Sequence, residues 1–405
     1  MTATVHKGRA EGTLAAPPSK SAAHRLLICA GLSRADSIIR GVSASQDILA
    51  TIDCLRALGA ECRLSGNAVH IRGADILHTA TDAILRCRES GSTMRFFIPI
   101  ALACGRTVRL EGSRTLLSRP MDVYEDMCRQ RGLTFEQTQE SITVKGPLSA
   151  GEFKIRGDIS SQFISGLLFA LPILGADSVI DIIPPMESRL YADMTVEALA
   201  QFGVKVRRPS EFRIEIPGNQ AYIGRDLTAE GDYSNAAFFY ALNALGSDIT
   251  ITGLDPNSLQ PDKVCVKLFE ELDGPLPQID IRECPDLGPI LMAAAAAKHG
   301  AVFTGTKRLR IKESDRARAM ADELEKFGAK VQVGQDRVQV RAEAFHRPDT
   351  ALDGHNDHRV VMSLAVLLTL TGGAIKGAQA VSKSFPDFFD KLNGLGIRTE
   401  QHDDN

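Results

Sequence analysis

Nothing in this chain marks it for a membrane or for export. No stretch reaches the roughly 18 consecutive apolar residues of a spanning helix, and the alanine-rich run at 291–297 is far too short. Residues 1–12 lack the apolar core of a secretion signal, so the cytoplasm is the expected compartment. The eight cysteines form no CxxC pair and no zinc-spaced cluster with histidine. Scattered beside Leu, Ile and Ala, they read as reduced core thiols. A basic excess is missing too: the formal charge is −3, which argues against a general binder of nucleic acid or membrane surfaces. There is no GxxxxGK phosphate loop, no GxGxxG after a strand-like run and no GxSxG elbow. His355 and His358 lack a third ligand nearby, so neither a metal nor any other cofactor is expected.

What is present is a repeat. The length of 405 residues, 44% of them hydrophobic, suggests two or more domains. Six times a polar opening leads into an apolar helical run closed by glycine, at Gly31, Gly105, Gly175, Gly246, Gly300 and Gly372. Successive closing glycines lie 74, 70, 71, 54 and 72 residues apart. Glycine there is the residue that tolerates the left-handed backbone angles of a helix end. Each run is followed by a short β-branched stretch with a polar loop, then by a second helix ending in glycine and strand-like alternation such as RGLTFEQTQESITVKG. Each unit therefore reads as helix, strand, helix and hairpin. The fourth alternating stretch, ELDGPLPQIDIREC, is degenerate, which accounts for the short interval of 54. Six units divide into two lobes of three: 20–228, holding three complete units, and 1–19 plus 229–405, lacking only an opening strand that residues 5–14 can supply.

Chemistry-bearing residues collect at two repeat positions. The first-helix starts are Ser19-Lys20-Ser21, Ser90-Gly91-Ser92, Ser160-Ser161-Gln162, Asp232-Tyr233-Ser234, Asp286 and Asn356-Asp357-His358-Arg359. Ser and Asp cap any helix, but caps alone do not explain the bases Lys20, Arg25, Arg95 and Arg359 beside them. The β-branched stretches lead into loops that carry Arg119, Arg189, Lys312, Arg316 and Lys383. Helix N-termini and clustered cations in an overall acidic chain point to a focused site for a small polyanion between the two halves. These features do not name a reaction.

At these same residues the chain resembles the 5-enolpyruvylshikimate-3-phosphate synthases of the enolpyruvyl transferase family, and the likeness runs through nearly all of its length. It is carried by PSKSAAHR at 18–25, SGSTMR at 90–95, LLSRPM at 116–121, GDISSQF at 157–163, PD at 285–286, KESDR at 312–316, NDHR at 356–359 and SKSFPDF at 382–388. The resemblance implies an α/β fold, a two-lobed inside-out α/β barrel built from six βαβαββ repeats. It implies transfer of the enolpyruvyl group of phosphoenolpyruvate to the 5-hydroxyl of shikimate 3-phosphate by addition and elimination, with release of phosphate. Shikimate 3-phosphate would be held by Lys20, Ser21, Arg25, Ser160, Ser161, Gln162, Ser188, Tyr191, Asp286 and Lys312. Phosphoenolpyruvate would be held by Lys20, Gly91, Arg119, Gln162, Arg316, Arg359 and Lys383. Asp286 would take the hydroxyl proton and Glu313 would protonate the methylene carbon, with Lys20 and Lys312 as further candidates for that proton. By the same resemblance, Gly91 keeps the small residue associated with glyphosate sensitivity in this family. A monomer without cofactor is expected.

Three departures stand out: Glu89 and Phe96 replace the usual Asn and Pro around SGSTMR, and Arg308 stands in the neighbourhood of a usual Asn. The nearest competing reading is a UDP-N-acetylglucosamine enolpyruvyl transferase, which typically carries a cysteine in the loop that here reads SRTLLSRP. A non-catalytic anion binder is the other, and the carboxylates Asp286 and Glu313 in a phosphate site argue against it.

Overall fold

The alternation after each second helix becomes paired strand. In the computed structural model, which describes residues 1–78 and 82–403, Thr134–Gln137 and Ser141–Lys145 form an antiparallel hairpin. Ser141–Lys145 then joins Thr107–Glu111, whose other edge is taken in parallel by Ala83–Arg86. The same order recurs in Glu152–Arg156, Ser178–Ile183, Arg213–Ile216 and Arg207–Ser210, and in Gln278–Asp280, Ala301–Thr304, Arg337–Arg341 and Lys330–Val333. Several of these strands alternate inward and outward residues, as in Glu152–Arg156 and Arg337–Arg341, and so bury one face.

The ends of the chain complete sheets that local sequence leaves open. The strand parallel to Asp36–Arg40 is Asp226–Thr228, so the first of the three units in 20–228 is completed from their far end. Glu11–Ala15, within and just beyond the expected 5–14 segment, runs parallel to Asp248–Thr252. Thr2–Val5 fills a place not anticipated: it lies antiparallel between Gly373–Lys376 and Thr399–His402 and completes the truncated sixth hairpin. The fourth hairpin is absent. Its alternating residues, Gln278–Asp280, open the next sheet instead, leaving Glu11–Ala15 and Asp248–Thr252 as a two-stranded sheet.

The chain forms two compact units, Pro18–Glu230 (the contiguous unit) and Met1–Pro17 with Gly231–Asn405 (the split unit). In the contiguous unit the first helices are Lys20–Leu32, Gly91–Ala103 and Ser161–Ala170, with 10 of 13, 12 of 13 and 9 of 10 residues buried. A helix apolar on all sides belongs in a core rather than at its edge. The split unit repeats the arrangement with Tyr233–Ala244, Gly288–Ala297 and His358–Thr371. In each unit, helices therefore fill the interior and one-sided sheets cover them.

Four of the six closing glycines are left-handed: Gly105, Gly246, Gly300 and Gly372, at φ of 68, 100, 78 and 75°. Gly31 and Gly175 are not. Gly31 lies within its helix, where a Cβ would stand 2.3 Å from Leu55, so its smallness serves the approach of Gln46–Ala57.

A proline inside Gly91–Ala103 sets up one further lock. Pro99 has no N–H to give the Arg95 carbonyl four residues back. The Tyr124 hydroxyl, 2.9 Å away, donates there instead, and it lies equally close to the Phe163 carbonyl. Gly166 makes room, since a Cβ there would meet the Tyr124 oxygen at 2.3 Å. This fixes the helix one turn beyond Gly91.

Candidate functional site

Each unit gathers its own set of the residues named from the sequence. In the contiguous unit Ser19 caps the helix that begins at Lys20, and the Lys20 ammonium pairs with Asp47 at 2.7 Å. Arg25, one turn on and 3% exposed, donates to the Ser21 carbonyl (2.6 Å), the Tyr191 carbonyl (2.7 Å) and the Thr195 hydroxyl (2.8 Å). Burial pushes its guanidinium down to about 10, against smaller upward effects of Tyr191 and Cys29, so it stays charged at neutral pH. Tyr191 and Thr195 come from the helix Arg189–Gln201, whose cap, Ser188, is buried in left-handed backbone at φ 54°.

A second cluster surrounds the start of Gly91–Ala103. A Cβ on Gly91 would lie 2.8 Å from one Arg119 guanidinium nitrogen and 3.7 Å from one of Arg95. Arg95 donates to the Gln162 side chain at 2.8 Å, and Gln162 donates onward to the Ser92 hydroxyl at 2.9 Å. Ser160 caps the helix that begins at Ser161 and places Gln162 there. Behind this cluster runs a buried chain of polar groups. His24 Nδ1 lies 2.8 Å from the Thr51 hydroxyl, which lies 2.8 Å from that of Thr93. Thr93 in turn donates to the Ser90 hydroxyl at 2.7 Å. Burial, with Lys20 and Arg25 adding to it, holds His24 well below the usual histidine range, hence neutral.

In the split unit Arg316 is the hub. Only 1% exposed, it meets Asp286 at 2.7 Å, Glu313 at 2.5 Å and the fully buried Asp357 at 2.8 Å. Asp286 also pairs with Lys312 at 3.1 Å. Burial would raise the Asp286 carboxyl, but Lys312, Arg359 and Arg316 outweigh it and hold the group well below the usual carboxylate range. Lys312 is lowered, chiefly by burial and further by Arg316 and Arg308, with Asp286 opposing. Asp357 caps His358–Thr371 through the Arg359 N–H at 2.9 Å, and the Arg359 side chain donates to the Ser234 carbonyl at 3.1 Å. Lys383 donates to the Asn356 carbonyl at 2.5 Å. The stretch KRLRIKESDR is no solvated helix face: Lys307–Ile311 is a 3-10 turn and helix begins only at Arg316. Arg308 is buried and donates to the Arg282 carbonyl at 2.8 Å.

Sequence reasoning named Asp286 and Glu313 but missed the cation-holding roles of Asp47 and Asp357. Asp47 lies in the first turn of Gln46–Ala57 and reads as an ordinary helix start, and Asp357 reads as a cap, which it also is. Among the described residues no group of His, Cys, Asp and Glu is arranged for a metal ion, and no helix is long and apolar enough to cross a membrane.

Comparison with known proteins adds what geometry leaves open. The family described as EPSP synthase (3-phosphoshikimate 1-carboxyvinyltransferase) matches residues 5–392. A 3-phosphoshikimate 1-carboxyvinyltransferase of Clostridium kluyveri is 37% identical over 418 aligned residues, covering 97% of either chain. One from Clostridium perfringens is also 37% identical, covering 95% of this chain and 96% of its own. Among solved structures, the fold is like that of an EPSP synthase from Acinetobacter baumannii, with a TM-score of 0.80 at 22% identity and full coverage of both chains. It is also like that of the enolpyruvyl transferase NikO from Streptomyces tendae, with a TM-score of 0.77 at 15% identity over 98% of each. With a family match across almost all its residues and relatives at this identity, the chain belongs to the EPSP synthase family, the 3-phosphoshikimate 1-carboxyvinyltransferases.

Proposed function

We propose that this chain transfers the enolpyruvyl group of phosphoenolpyruvate to the 5-hydroxyl of shikimate 3-phosphate in the shikimate pathway, which leads to aromatic amino acids. The observation that carries the reading, in a chain of this family, is Asp286 poised between Lys312 and Arg316 with Glu313 on the same arginine. Addition across an enol double bond needs a base at the hydroxyl, an acid at carbon and cations around the anionic groups. Lys20, Ser21, Arg25, Ser160, Ser161, Gln162, Ser188, Tyr191, Asp286 and Lys312 are assigned to shikimate 3-phosphate. Lys20, Gly91, Arg119, Gln162, Arg316, Arg359 and Lys383 are assigned to phosphoenolpyruvate.

In the addition step Asp286 takes the hydroxyl proton while the oxygen bonds to the central enolpyruvyl carbon. The double-bond electrons take a proton from Glu313 at the methylene carbon, giving a tetrahedral intermediate. Elimination removes a proton from the new methyl group, restores the double bond and expels phosphate. The depressed pKa makes Asp286 a feeble base as it stands. The cations that depress it are themselves assigned to substrate, so anionic groups drawing on Lys312, Arg316 and Arg359 would release the carboxylate and strengthen it. Base strength would thus rise with substrate binding. The proposal extends to a monomeric cytoplasmic enzyme without cofactor, acting on neither nucleic acid nor membrane.

The test is phosphate release from phosphoenolpyruvate with shikimate 3-phosphate, set beside the same assay with UDP-N-acetylglucosamine. Release with the first acceptor alone is expected. Release with the second alone would overturn the acceptor assignment, and release with neither would overturn the transferase reading.

A further inference from the structure

The turn 353–357 carries Asp357 and leads to Arg359, and it is unusual in two ways. His355 and Asn356 are consecutive non-glycine residues in left-handed backbone, at φ 49 and 51°. Such conformations are disfavoured for residues with a Cβ and persist only where surrounding contacts impose them. The turn is also gripped twice by the helix Arg316–Glu325. At one end Arg316 pairs with Asp357. At the other, Glu323, 2% exposed and two turns along the same helix, accepts from the Asp353 N–H at 3.0 Å and from His355 Nε2 at 3.2 Å. Lys326 donates to both Glu323 oxygens at 2.8 Å. The His355 N–H closes the turn on the Asp353 carboxylate at 2.7 Å.

This turn fixes what lies beyond it. The Asn356 carbonyl receives Lys383, and Asp357 receives both Arg316 and the Arg359 N–H. We infer that Glu323 and His355 are positioning residues for the phosphoenolpyruvate end of the site, an ion pair that holds the strained His355–Asn356 turn and through it the places of Lys383 and Arg359. The inference rests on the assignment of those two cations to phosphoenolpyruvate. His355 is the titratable member, its side chain 28% exposed and reachable by solvent. Its hydrogen bond with Glu323 raises its pKa above the ordinary histidine value, with burial opposing and Asp353 and Asp322 adding to the rise. Burial raises Glu323, but His355, Lys326 and the Asp353 N–H together leave it lowered. The other charged and titratable groups about the turn are Lys383 on the Asn356 carbonyl, and Asp357 with Arg316 at 2.8 Å and His358 Nδ1 at 3.8 Å. A raised histidine pKa means that the charge-assisted bond is complete below the ordinary value and is lost as pH rises through the raised one. A neutral imidazole leaves a weaker hydrogen bond to hold the turn.

The experiment compares wild type with His355→Gln and His355→Lys from about pH 6 to about pH 9, reading KM for each substrate and following the His355 ring proton by NMR. Taking variant-to-wild-type ratios removes the ionisation of the substrates themselves. At the acid end His355→Gln should raise KM for phosphoenolpyruvate about three- to tenfold, the gap between a charge-assisted and a neutral bond. That ratio should fall toward one as the wild-type histidine loses its proton, with KM for shikimate 3-phosphate unmoved. His355→Lys, charged throughout, should stay near the acid-end wild-type value at every pH, and it carries the test if the glutamine variant folds poorly. A pH-independent His355→Gln ratio, or an effect falling on shikimate 3-phosphate, overturns the inference. So does a wild-type His355 that titrates at the ordinary value, a reading that needs no turnover. Absence of turnover in wild type at every pH would instead strike the proposed function.

Discussion

Arg316 offers the sharpest test of how the split unit is held together. Its guanidinium, 1% exposed, is shared by Asp286, Glu313 and Asp357. Arg316→Gln keeps much of the volume and some hydrogen bonding but leaves three carboxylates without their common cation. Removing one partner of a buried pair typically costs about 3–5 kcal/mol. The carboxylates keep other support: Asp286 retains Lys312 at 3.1 Å, and Asp357 retains the Ser314 hydroxyl at 3.1 Å and the Arg359 N–H at 2.9 Å. The expected loss at neutral pH therefore sits at the lower end, about 3 kcal/mol. Its pH dependence has a definite sign. The wild-type Asp286 carboxyl is held low, so it contributes stability above its unfolded pKa that is lost as pH falls through the folded one. Without Arg316 that depression shrinks, so the gap between wild type and variant should be full at about pH 7 and narrow as pH falls below about 4, the ordinary carboxylate value. The chain has no tryptophan, so urea unfolding is best followed by circular dichroism. A loss below about 1 kcal/mol, or one that does not narrow below about pH 4, would show that Arg316 is no hub.

Two further outcomes follow from the site. Asp286→Ala should lower kcat by about 100-fold or more, the usual share of a general base, with both substrates still bound in equilibrium measurements; near-normal turnover would end that role. Gly91→Ala brings a methyl group to 2.8 Å from Arg119, short of the 3.4 Å at which ordinary contact begins, so that guanidinium must move. KM for phosphoenolpyruvate should rise by about 10-fold or more, the effect of one methyl group in a fitted pocket, with glyphosate weakened more than the substrate. An unchanged ratio of inhibition constant to KM would place Gly91 away from the donor.

Much of the fold could be read from the chain because its signals are local. Helix, glycine and alternation each declare themselves within about ten residues, and six repetitions removed the ambiguity any single copy carried. What could not be read was which strand joins which sheet. QIDIREC alternates like a hairpin arm, yet Gln278–Asp280 opens the following sheet, because alternation reports a half-buried strand and says nothing of its neighbours. Thr2–Val5 likewise finds partners at 373–376 and 399–402, nearly the full chain away. Gly31 misled in a different manner, since a helix-ending glycine and a helix-packing glycine look alike until Leu55 is seen against it.

The same division runs through the site. Cations could be named because a base beside a helix cap is conspicuous in an acidic chain. Asp286 and Glu313 could be named with them through the resemblance, but Asp47 and Asp357 could not, because a carboxylate at an ordinary helix start and one that also pins a cation occupy the same place in sequence. Asp357 does both at once. Glu323 hides more thoroughly: with Lys326 three residues on, it reads as a surface ion pair, the commonest and least consequential arrangement on a helix. Only burial to 2% exposure and the arrival of Asp353 and His355 from another segment distinguish it. Motifs of this kind record the groups that meet a ligand. The groups that hold those in place are set by contacts between distant segments, and in this chain they are largely acidic: Asp47, Asp357 and Glu323. An anion site must keep its cations both charged and aimed, and buried carboxylates do both for Lys20 through Asp47 and for Arg316 through Asp357.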